Sequence, residues 1–193
     1  MILSLNDVLP IGEFVAQRRR LEADILSVKA VRRLPVGPNM TMLFENRQTC
    51  WWQVQEMCRV EQITAPTAVE HELNTYNALL PSPASLSVTL LLEYDEPIER
   101  VRMLTALLGL QEHLWLCFDG LAPTKARFDE EQFNEVRISA VQFVRLPLVA
   151  GALAALADFS RRAWIEITHP AYPITVPLPR TLRAALLDDV SPS

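Results

Sequence analysis

The chain has few of the residues from which phosphate-binding loops, zinc sites and disulfide frameworks are built. It contains 5 glycines in 193 residues, and it has no glycine-rich phosphate loop, Gly-x-Ser-x-Gly elbow, His-Glu-x-x-His or Cys-x-x-Cys string. The 3 cysteines are odd in number, and their spacing fits neither a zinc site nor a set of disulfides. The usual sequence support for nucleotide, serine-hydrolase and zinc chemistry is therefore absent.

Clustered basic charge and long apolar runs are also scarce. The net charge is −5, and the single basic run, residues 18–20, fans around a helix instead of forming a stripe. We therefore expect no nucleic-acid partner, because such binding needs a basic footprint. The most apolar helical stretch, residues 149–157, is far shorter than the roughly 20 residues of a membrane span. The first residues lack a signal-peptide pattern, so we expect a cytoplasmic protein with reduced thiols and no membrane partner.

The hydrophobic pattern predicts an α+β protein with a mixed, mostly antiparallel sheet and flanking helices. Residues 85–94 alternate between apolar and polar side chains, which is typical of a half-buried strand. Because the helices come first and no regular strand-helix alternation follows, a doubly wound parallel sheet is not expected. Further helices are predicted at about 12–33, 46–62, 67–80, 97–108, 149–159 and 179–187, and further strands at 40–44, 114–118, 125–128, 137–146, 164–169 and 174–178.

The length of the chain predicts a single domain over residues 1–193, with a disordered tail at 188–193. Pro81-Ser82-Pro83 is the best candidate for a domain boundary, and we interpret it as a tight loop within one domain. Two capping signals locate helix starts. Asn46 or Thr49 can cap the second helix, and Thr67 with Glu70 forms a capping-box pattern for the third.

The densest polar stretch is residues 70–77, which read Glu-His-Glu-Leu-Asn-Thr-Tyr-Asn. On a helix, His71 neighbours Asn74 while Glu72 neighbours Tyr76, so two polar faces result. A histidine near carboxylates suits acid-base work or metal ligation. The alternative is a capped, hydrogen-bonded surface helix. The two asparagines favour a functional interpretation, because asparagine is a poor helix former.

A second polar group lies at the junction between the predicted strand 40–44 and the helix after it. Glu45 and Arg47 flank the junction, and Gln55 and Glu56 follow along the helix. Since helix N-termini attract anions, Arg47 could hold a carboxylate or a phosphate there. The alternative is a helix cap with its ion pairs.

The other two histidines, His113 and His169, lie at the edges of predicted strands. Each is a candidate metal ligand with His71, although a structural role is the simpler interpretation. Glu166 and His169 match a Glu-x-x-His string, but that motif needs a helix. On a strand the two side chains face opposite sides, so we give the string no weight.

Several segments together resemble a bacterial family known as domain of unknown function 3501, over about residues 5–186. The resemblance supplies no activity and no cofactor. It implies a setting beside iron-sulfur or rubrerythrin-like oxidoreductases, and so a redox partner protein. Cys50-Trp51-Trp52 is bulkier than the family pattern suggests. The segments are Val36-Gly37-Pro38, Leu43-Phe44-Glu45-Asn46-Arg47, Gln55-Glu56-Met57, residues 71–77, Glu112-His113-Leu114-Trp115, and His169-Pro170 with Tyr172.

The leading hypothesis is a cytoplasmic binding or accessory protein of such a redox system, with a polar pocket for a small anionic ligand or a partner. The alternative is an enzyme in which His71, with Glu56 or Glu72, performs acid-base chemistry or holds one metal ion with another histidine. A third hypothesis is a structural subunit, with a homo-oligomer as one form. The residues predicted to line the pocket are Glu45, Arg47, Gln55, Glu56, His71, Asn74, Tyr76 and Asn77.

Overall fold

The computed structural model describes residues 2–129 and 136–190. Its contacts fall into two compact units, each made of two chain segments. The helical unit comprises Met1–Arg32 and Glu45–Leu80, and the sheet unit comprises Arg33–Phe44 and Pro81–Ser193. The last change of unit falls at Pro81, which the sequence marks as the best boundary candidate. The single domain over residues 1–193 stays a prediction.

The helical unit contains a short 3₁₀ helix, Leu5–Asp7, and three α-helices: α1 (Ile11–Ala30), α2 (Arg47–Val60) and α3 (Pro66–Asn77). One side of α2 packs on α1, where the Phe14 ring meets Trp52 edge-on at 5.5 Å between centroids. Another side packs on α3. That contact consists of Cys50, Val54 and Cys58 against Val69 and Leu73. The two cysteines are buried and form no disulfide, as expected of cysteines that act as small hydrophobes.

The start of α2 confirms one capping prediction, and the start of α3 shows that another is wrong. The Asn46 side chain accepts from the Thr49 N–H at 2.9 Å, and the Thr49 hydroxyl accepts from the Asn46 N–H at 2.9 Å. Thr67 does not cap α3, because the helix already begins at Pro66 with Ala65 as its N-cap. Proline suits the first helical position because its φ is already helical and its missing N–H would have no partner there.

The sheet unit contains two sheets, and every described strand pair is antiparallel. The five-stranded sheet has the order β1-β2-β3-β7-β6, and the four-stranded sheet has the order β5-β4-β8-β9. The strands are β1 Arg33–Pro35, β2 Met40–Phe44, β3 Ser85–Leu92, β4 Leu114–Phe118, β5 Thr124–Lys125, β6 Arg127–Phe128, β7 Val141–Pro147, β8 Ala163–Ile167 and β9 Ile174–Pro177. The helices of this unit are α4 Pro97–Ala106, α5 Ala152–Ala157 and α6 Arg180–Val190. The predicted α+β class is confirmed.

One hydrophobic core joins the two sheets and the three helices of the sheet unit. Alternate residues of the strands point into it, for example Val88 and Leu90 of β3 and Leu116 of β4. The helices contribute residues such as Leu156 and Leu186. Each such side chain stabilises the fold by about 1.5–3 kcal/mol on burial.

The predicted strand at 125–128 is divided at Ala126. Lys125 pairs with Trp115 in the four-stranded sheet, whereas Phe128 pairs with Val144 in the five-stranded sheet. Strands that pass from one sheet to another in this way form the corners of packed sheets. At the C-terminus α6 continues to Val190, so residues 188–190 are helical, and the rest of the predicted tail lies outside the described residues.

Across the two described ranges, none of the helices combines the length and the apolar character that crossing a membrane requires.

Candidate functional site

Arg47, the predicted anion anchor, is paired with a carboxylate of its own unit. Its Nη2 forms an ion pair with Asp7 Oδ1, and Asp7 Oδ2 accepts from the Ser4 N–H at 2.8 Å and the Ser4 hydroxyl at 2.9 Å. The hydrogen bond from Arg47, and then those from Ser4, hold the pKa of Asp7 below its usual value. Trp51 Nε1 donates to the Asp7 carbonyl at 2.8 Å. This contact therefore ties the start of α2 to the 3₁₀ helix.

Glu56 lies between two arginines. Its carboxylate accepts from Arg18 Nε at 2.7 Å and from Arg59 Nη2 at 2.7 Å. Burial raises the pKa of Glu56, but the hydrogen bonds and charges of Arg59 and Arg18 outweigh it, so the net pKa is lowered. A carboxylate with a lowered pKa is a weak base near neutral pH, which does not favour the acid-base role.

Two of the predicted residues, Glu72 and Glu45, lie near enough to a third, Tyr76, for their charges to act on its phenol. Glu45 is 1% exposed and accepts from the Thr49 hydroxyl and from Gln53 Nε2, the latter at 3.2 Å. Burial raises the pKa of the Tyr76 phenol most, and the negative charges of Glu72 and Glu45 raise it further. The fold therefore brings the junction before α2 near the C-terminal half of α3, as the pocket hypothesis requires.

Gln55 and Arg47 each keep one buried donor without an acceptor. Gln55 is 1% exposed, and its Nε2 has no hydrogen-bond partner within residues 2–129 and 136–190. The same holds for Arg47 Nε, and the two residues lie on one stripe of α2 with Trp51 between them. An unmade buried hydrogen bond costs about 1–3 kcal/mol. A bound ligand could accept hydrogen bonds from these two donors, which agrees with the ligand-binding role predicted for Gln55 and Arg47. That role stays a prediction.

Asn77 fixes the N-terminal segment. Its Oδ1 accepts from the Leu3 N–H at 2.8 Å, and its Nδ2 donates to the Leu3 carbonyl at 2.8 Å. These two hydrogen bonds satisfy both backbone groups of Leu3, as pairing with a neighbouring strand would do. Asn77 and Asn74 line a cavity of about 470 Å³ together with Glu70 and the N-terminal segment.

Replacing Asn77 by alanine is expected to lower the free energy of unfolding by about 1–3 kcal/mol, because both Leu3 backbone groups lose their partner. Asn74→Ala is the matched control. Asn74 is exposed on the same helix, so its replacement should change stability by less than about 0.5 kcal/mol. Urea denaturation of both variants measures the difference, and equal effects would contradict the role given to Asn77.

His71 lies on the exposed side of α3. Its backbone carbonyl accepts from the Thr75 hydroxyl at 3.1 Å. Among the described residues there is no group of three or more His, Cys, Asp or Glu side chains that could hold a metal ion. Proton transfer by His71 stays a prediction, as does metal binding by any of the histidines.

The histidines of the sheet unit lie together. The rings of His113 and His169 meet edge-on at 5.1 Å between centroids. His169 is buried, and its Nδ1 accepts from the Ala171 N–H at 3.2 Å, so Nε2 carries the proton and donates to the Leu108 carbonyl at 3.1 Å. Both ring nitrogens of His169 are thus engaged by the backbone. His113 Nδ1 and the Thr168 hydroxyl form a hydrogen bond of 3.1 Å.

Two of the segments that carry the family resemblance meet at the Tyr172 hydroxyl. It donates to the Val36 carbonyl at 2.8 Å and accepts from the Asn39 N–H at 3.1 Å. Between them, Gly37 has φ +78°, and a Cβ there would lie 2.5 Å from the Tyr172 oxygen. An isolated glycine before a proline suggests such a φ. The contact of Gly37 with Tyr172, which is distant in the chain, cannot be recognised from a single sequence.

The side of the four-stranded sheet turned away from the core carries a mixed set of side chains that sequence reasoning did not assign to a site. Trp115 and Cys117 of β4 pair in register with Glu166 and Trp164 of β8. The Cys117 thiol donates to Glu166 Oε2 at 3.6 Å. Burial, the Glu166 charge and this hydrogen bond raise the pKa of Cys117 to about 12.

A cavity of about 610 Å³ opens on this side, and we call it the β8–β9 cavity. Trp164, Glu166 and Thr175 line it along the strands, and Arg162 and Arg183 line it as well. The Arg162 guanidinium lies 5.7 Å from the centre of the Trp164 ring. Arg162 also forms a fork with Asp119, with Nε–Oδ2 at 3.0 Å and Nη2–Oδ1 at 3.1 Å.

Arg183 is the one fully buried guanidinium among the residues that line this cavity, at 4% exposure. It donates five hydrogen bonds, all to backbone carbonyls, and within the described ranges no carboxylate lies within ion-pair distance of it. Burial is the main cause that lowers its pKa. The acceptors, at 2.7–3.1 Å, are the carbonyls of Ala155, Leu156, Asp158 and Arg161.

The chain is therefore an α+β protein whose four-stranded sheet carries the β8–β9 cavity, which is lined by residues of both charges. A sequence model of the family described as "Protein of unknown function (DUF3501)" matches residues 2–190, and the chain belongs to this family. The resemblance found in the sequence is thereby confirmed. No curated protein matches the chain.

A solved structure is similar over the whole chain. It is a crystal structure described as a novel protein of unknown function from Burkholderia pseudomallei K96243. The two sequences are 29% identical, the TM-score is 0.92, and the match covers 99% of this chain and 100% of the other. The fold is therefore shared with that protein, and neither description states an activity.

Proposed function

We propose that this protein is a binding or accessory protein that takes a small anionic ligand in the β8–β9 cavity. The observation that carries the proposal is the buried Arg183 guanidinium in the cavity wall, whose acceptors are all neutral carbonyls. The Asp158 charge acts on Arg183 from beyond ion-pair distance, so the buried positive charge is only partly balanced, and a bound anion would offset the remaining cost. Arg162 also lines the cavity, but its guanidinium is already paired with Asp119, so Arg183 carries the anion site.

The dimensions of the cavity suit this role. Ligand pockets commonly enclose about 300–1,000 Å³ and combine apolar walls with a few placed polar groups. Here Trp164 supplies an aromatic wall, and Thr175 supplies a hydroxyl at the rim. Guanidinium groups also match carboxylate and phosphate oxygens in pairs, which favours an anionic group of one of these kinds.

The proposal places the anion at Arg183 instead of Arg47. Arg47 is already paired with Asp7, whereas Arg183 has no carboxylate within ion-pair distance in the part of the chain that the structure describes. The setting beside an iron-sulfur or rubrerythrin-like system, with a redox partner protein, is part of the proposal. Its support is the family resemblance alone.

Filling the cavity tests the proposal. Thr175 is exposed at the rim, so Thr175→Phe should fold normally and weaken binding of hexanoate or inorganic phosphate at least tenfold. The measurements are calorimetric titration and the rise in melting temperature that the anion causes in the native protein. Thr105→Phe, at an exposed position of α4, is the control and should bind like the unaltered chain. Unchanged affinity in Thr175→Phe would contradict the proposal.

A further inference from the structure

The β8–β9 cavity also contains a carboxylate without a counter-charge. Glu166 accepts from the Cys117 thiol, which is a neutral donor. Throughout residues 2–129 and 136–190, no lysine, arginine or histidine lies within ion-pair distance of it. The β8–β9 cavity thus holds a cation, Arg183, and an anion, Glu166, neither of which has an ion-pair partner among the described residues.

The two charges are at different ends of β8. Arg183 Nη1 donates to the Arg161 carbonyl at 2.7 Å, which fixes the guanidinium beside the start of the strand. Glu166 lies near the end of β8 and pairs in register with Thr175 of β9. With a rise of about 3.3 Å per residue, the Cα atoms of Arg162, just before β8, and Glu166 are about 13 Å apart.

The surface between these ends is aromatic. Trp164 projects from the same side of β8 as Glu166, since it lies two residues earlier on the strand. Its indole can cover a short chain of methylene groups, and it adds attraction for a nearby cation. The cavity is therefore cationic at one end, aromatic in the middle and anionic at the other end.

We infer that the ligand of the β8–β9 cavity is a small zwitterion of the amino-carboxylate class. Its anionic group binds at the Arg183 end, its ammonium group binds between the Glu166 carboxylate and the Thr175 hydroxyl, and its carbon chain lies on Trp164. This inference rests on the proposed function and narrows it. A simple anion would leave Glu166 unpaired and would be repelled by it, whereas a zwitterion offsets both charges of the cavity.

Paired probes test the inference on the full chain by calorimetric titration. The zwitterions are γ-aminobutyrate, ε-aminohexanoate and ω-aminooctanoate, and the matched anions are butyrate, hexanoate and octanoate. The best zwitterion should bind at least about tenfold more tightly than its matched anion, as expected for an added charge-assisted hydrogen bond. Glu166→Gln should remove this advantage, and the matched anion should bind at least as tightly as before because its repulsion by Glu166 is removed. Glu96→Gln, at an exposed position before α4, is the control and should keep it.

The outcomes separate the inference from the proposed function. Equal affinity for zwitterion and anion, with both lost in Thr175→Phe, would overturn the inference and support anion binding at the cavity. An advantage of the zwitterion that persists in Glu166→Gln would also overturn the inference. If none of the six probes bound but inorganic phosphate did, the inference alone would be overturned. If neither the six probes nor inorganic phosphate bound, the proposed function would be overturned together with it.

Discussion

Replacing Arg183 by methionine is expected to lower the free energy of unfolding by about 1–3 kcal/mol, the cost of leaving buried carbonyls without a donor. Helix α5 is short, and the carbonyls of its last turn have no partner within the helix. The Arg183 guanidinium supplies donors to Ala155, Leu156 and Asp158 at that end. Methionine fills a similar volume without any donor, so these buried carbonyls would remain unpaired.

Two further variants make this prediction specific. Arg180→Met removes an exposed guanidinium that lies 4.5 Å from the centre of the Phe159 ring, and it should cost less than about 1 kcal/mol. Arg183→Lys keeps the charge but loses the planar fork, so its stability should lie between those of Arg183→Met and the unaltered chain. Denaturant melts of the three variants give the comparison. Equal losses for Arg180→Met and Arg183→Met would show that the network does not stabilise α5.

Replacing Gly37 by alanine should cost about 2–4 kcal/mol, by two separate effects. An L-residue at φ +78° is strained by about 1–2 kcal/mol. The new Cβ would also lie 2.5 Å from the Tyr172 oxygen, so the tyrosine would have to move. That movement would weaken the hydrogen bonds that its hydroxyl forms with Val36 and Asn39.

The chain offers a control that separates strain from collision. Gly109 has φ +90°, and a Cβ there would meet nothing within 4 Å, so Gly109→Ala measures the strain alone. The difference between the two alanine variants then measures the collision with Tyr172. A double-mutant cycle with Tyr172→Phe should show a coupling of at least about 0.5 kcal/mol, as is usual for residues in contact. Equal costs at Gly37 and Gly109 would contradict this account.

Periodicity and capping chemistry predicted much of the fold, because they are local properties of the sequence. The alternation over 85–94 predicted β3, and one of the two residues proposed as the cap of α2, Asn46, is its N-cap. The Thr67 prediction failed where two local signals competed and Pro66 began the helix first. The division at Ala126 was not visible, because the choice between two sheets depends on tertiary pairing.

The candidate sites were less predictable, since polar residues show their chemistry in sequence but not their partners. Arg47 suggested an anion site, yet its carboxylate comes from Asp7 in a distant segment. Arg183 passed unnoticed, although its position next to Leu182 in the apolar repeat of α6 could have marked it as a buried cation. From the sequence, Glu166 was considered only as half of a Glu-x-x-His string. Its neighbour in the cavity, Thr175, is brought to it by strand pairing, which the sequence alone does not reveal.

The hydrogen bond between Cys117 and Glu166 has a chemical consequence for the β8–β9 cavity, which Glu166 lines. Oxidants and alkylating agents attack thiolates, and with a pKa of about 12 only on the order of one Cys117 thiol in 100,000 is ionised at neutral pH. The sulfur beside the Glu166 carboxylate therefore stays chemically inert. Peroxide would modify it only very slowly, and the charge pattern of the concavity would outlast an oxidative burst that inactivates proteins with reactive cysteines.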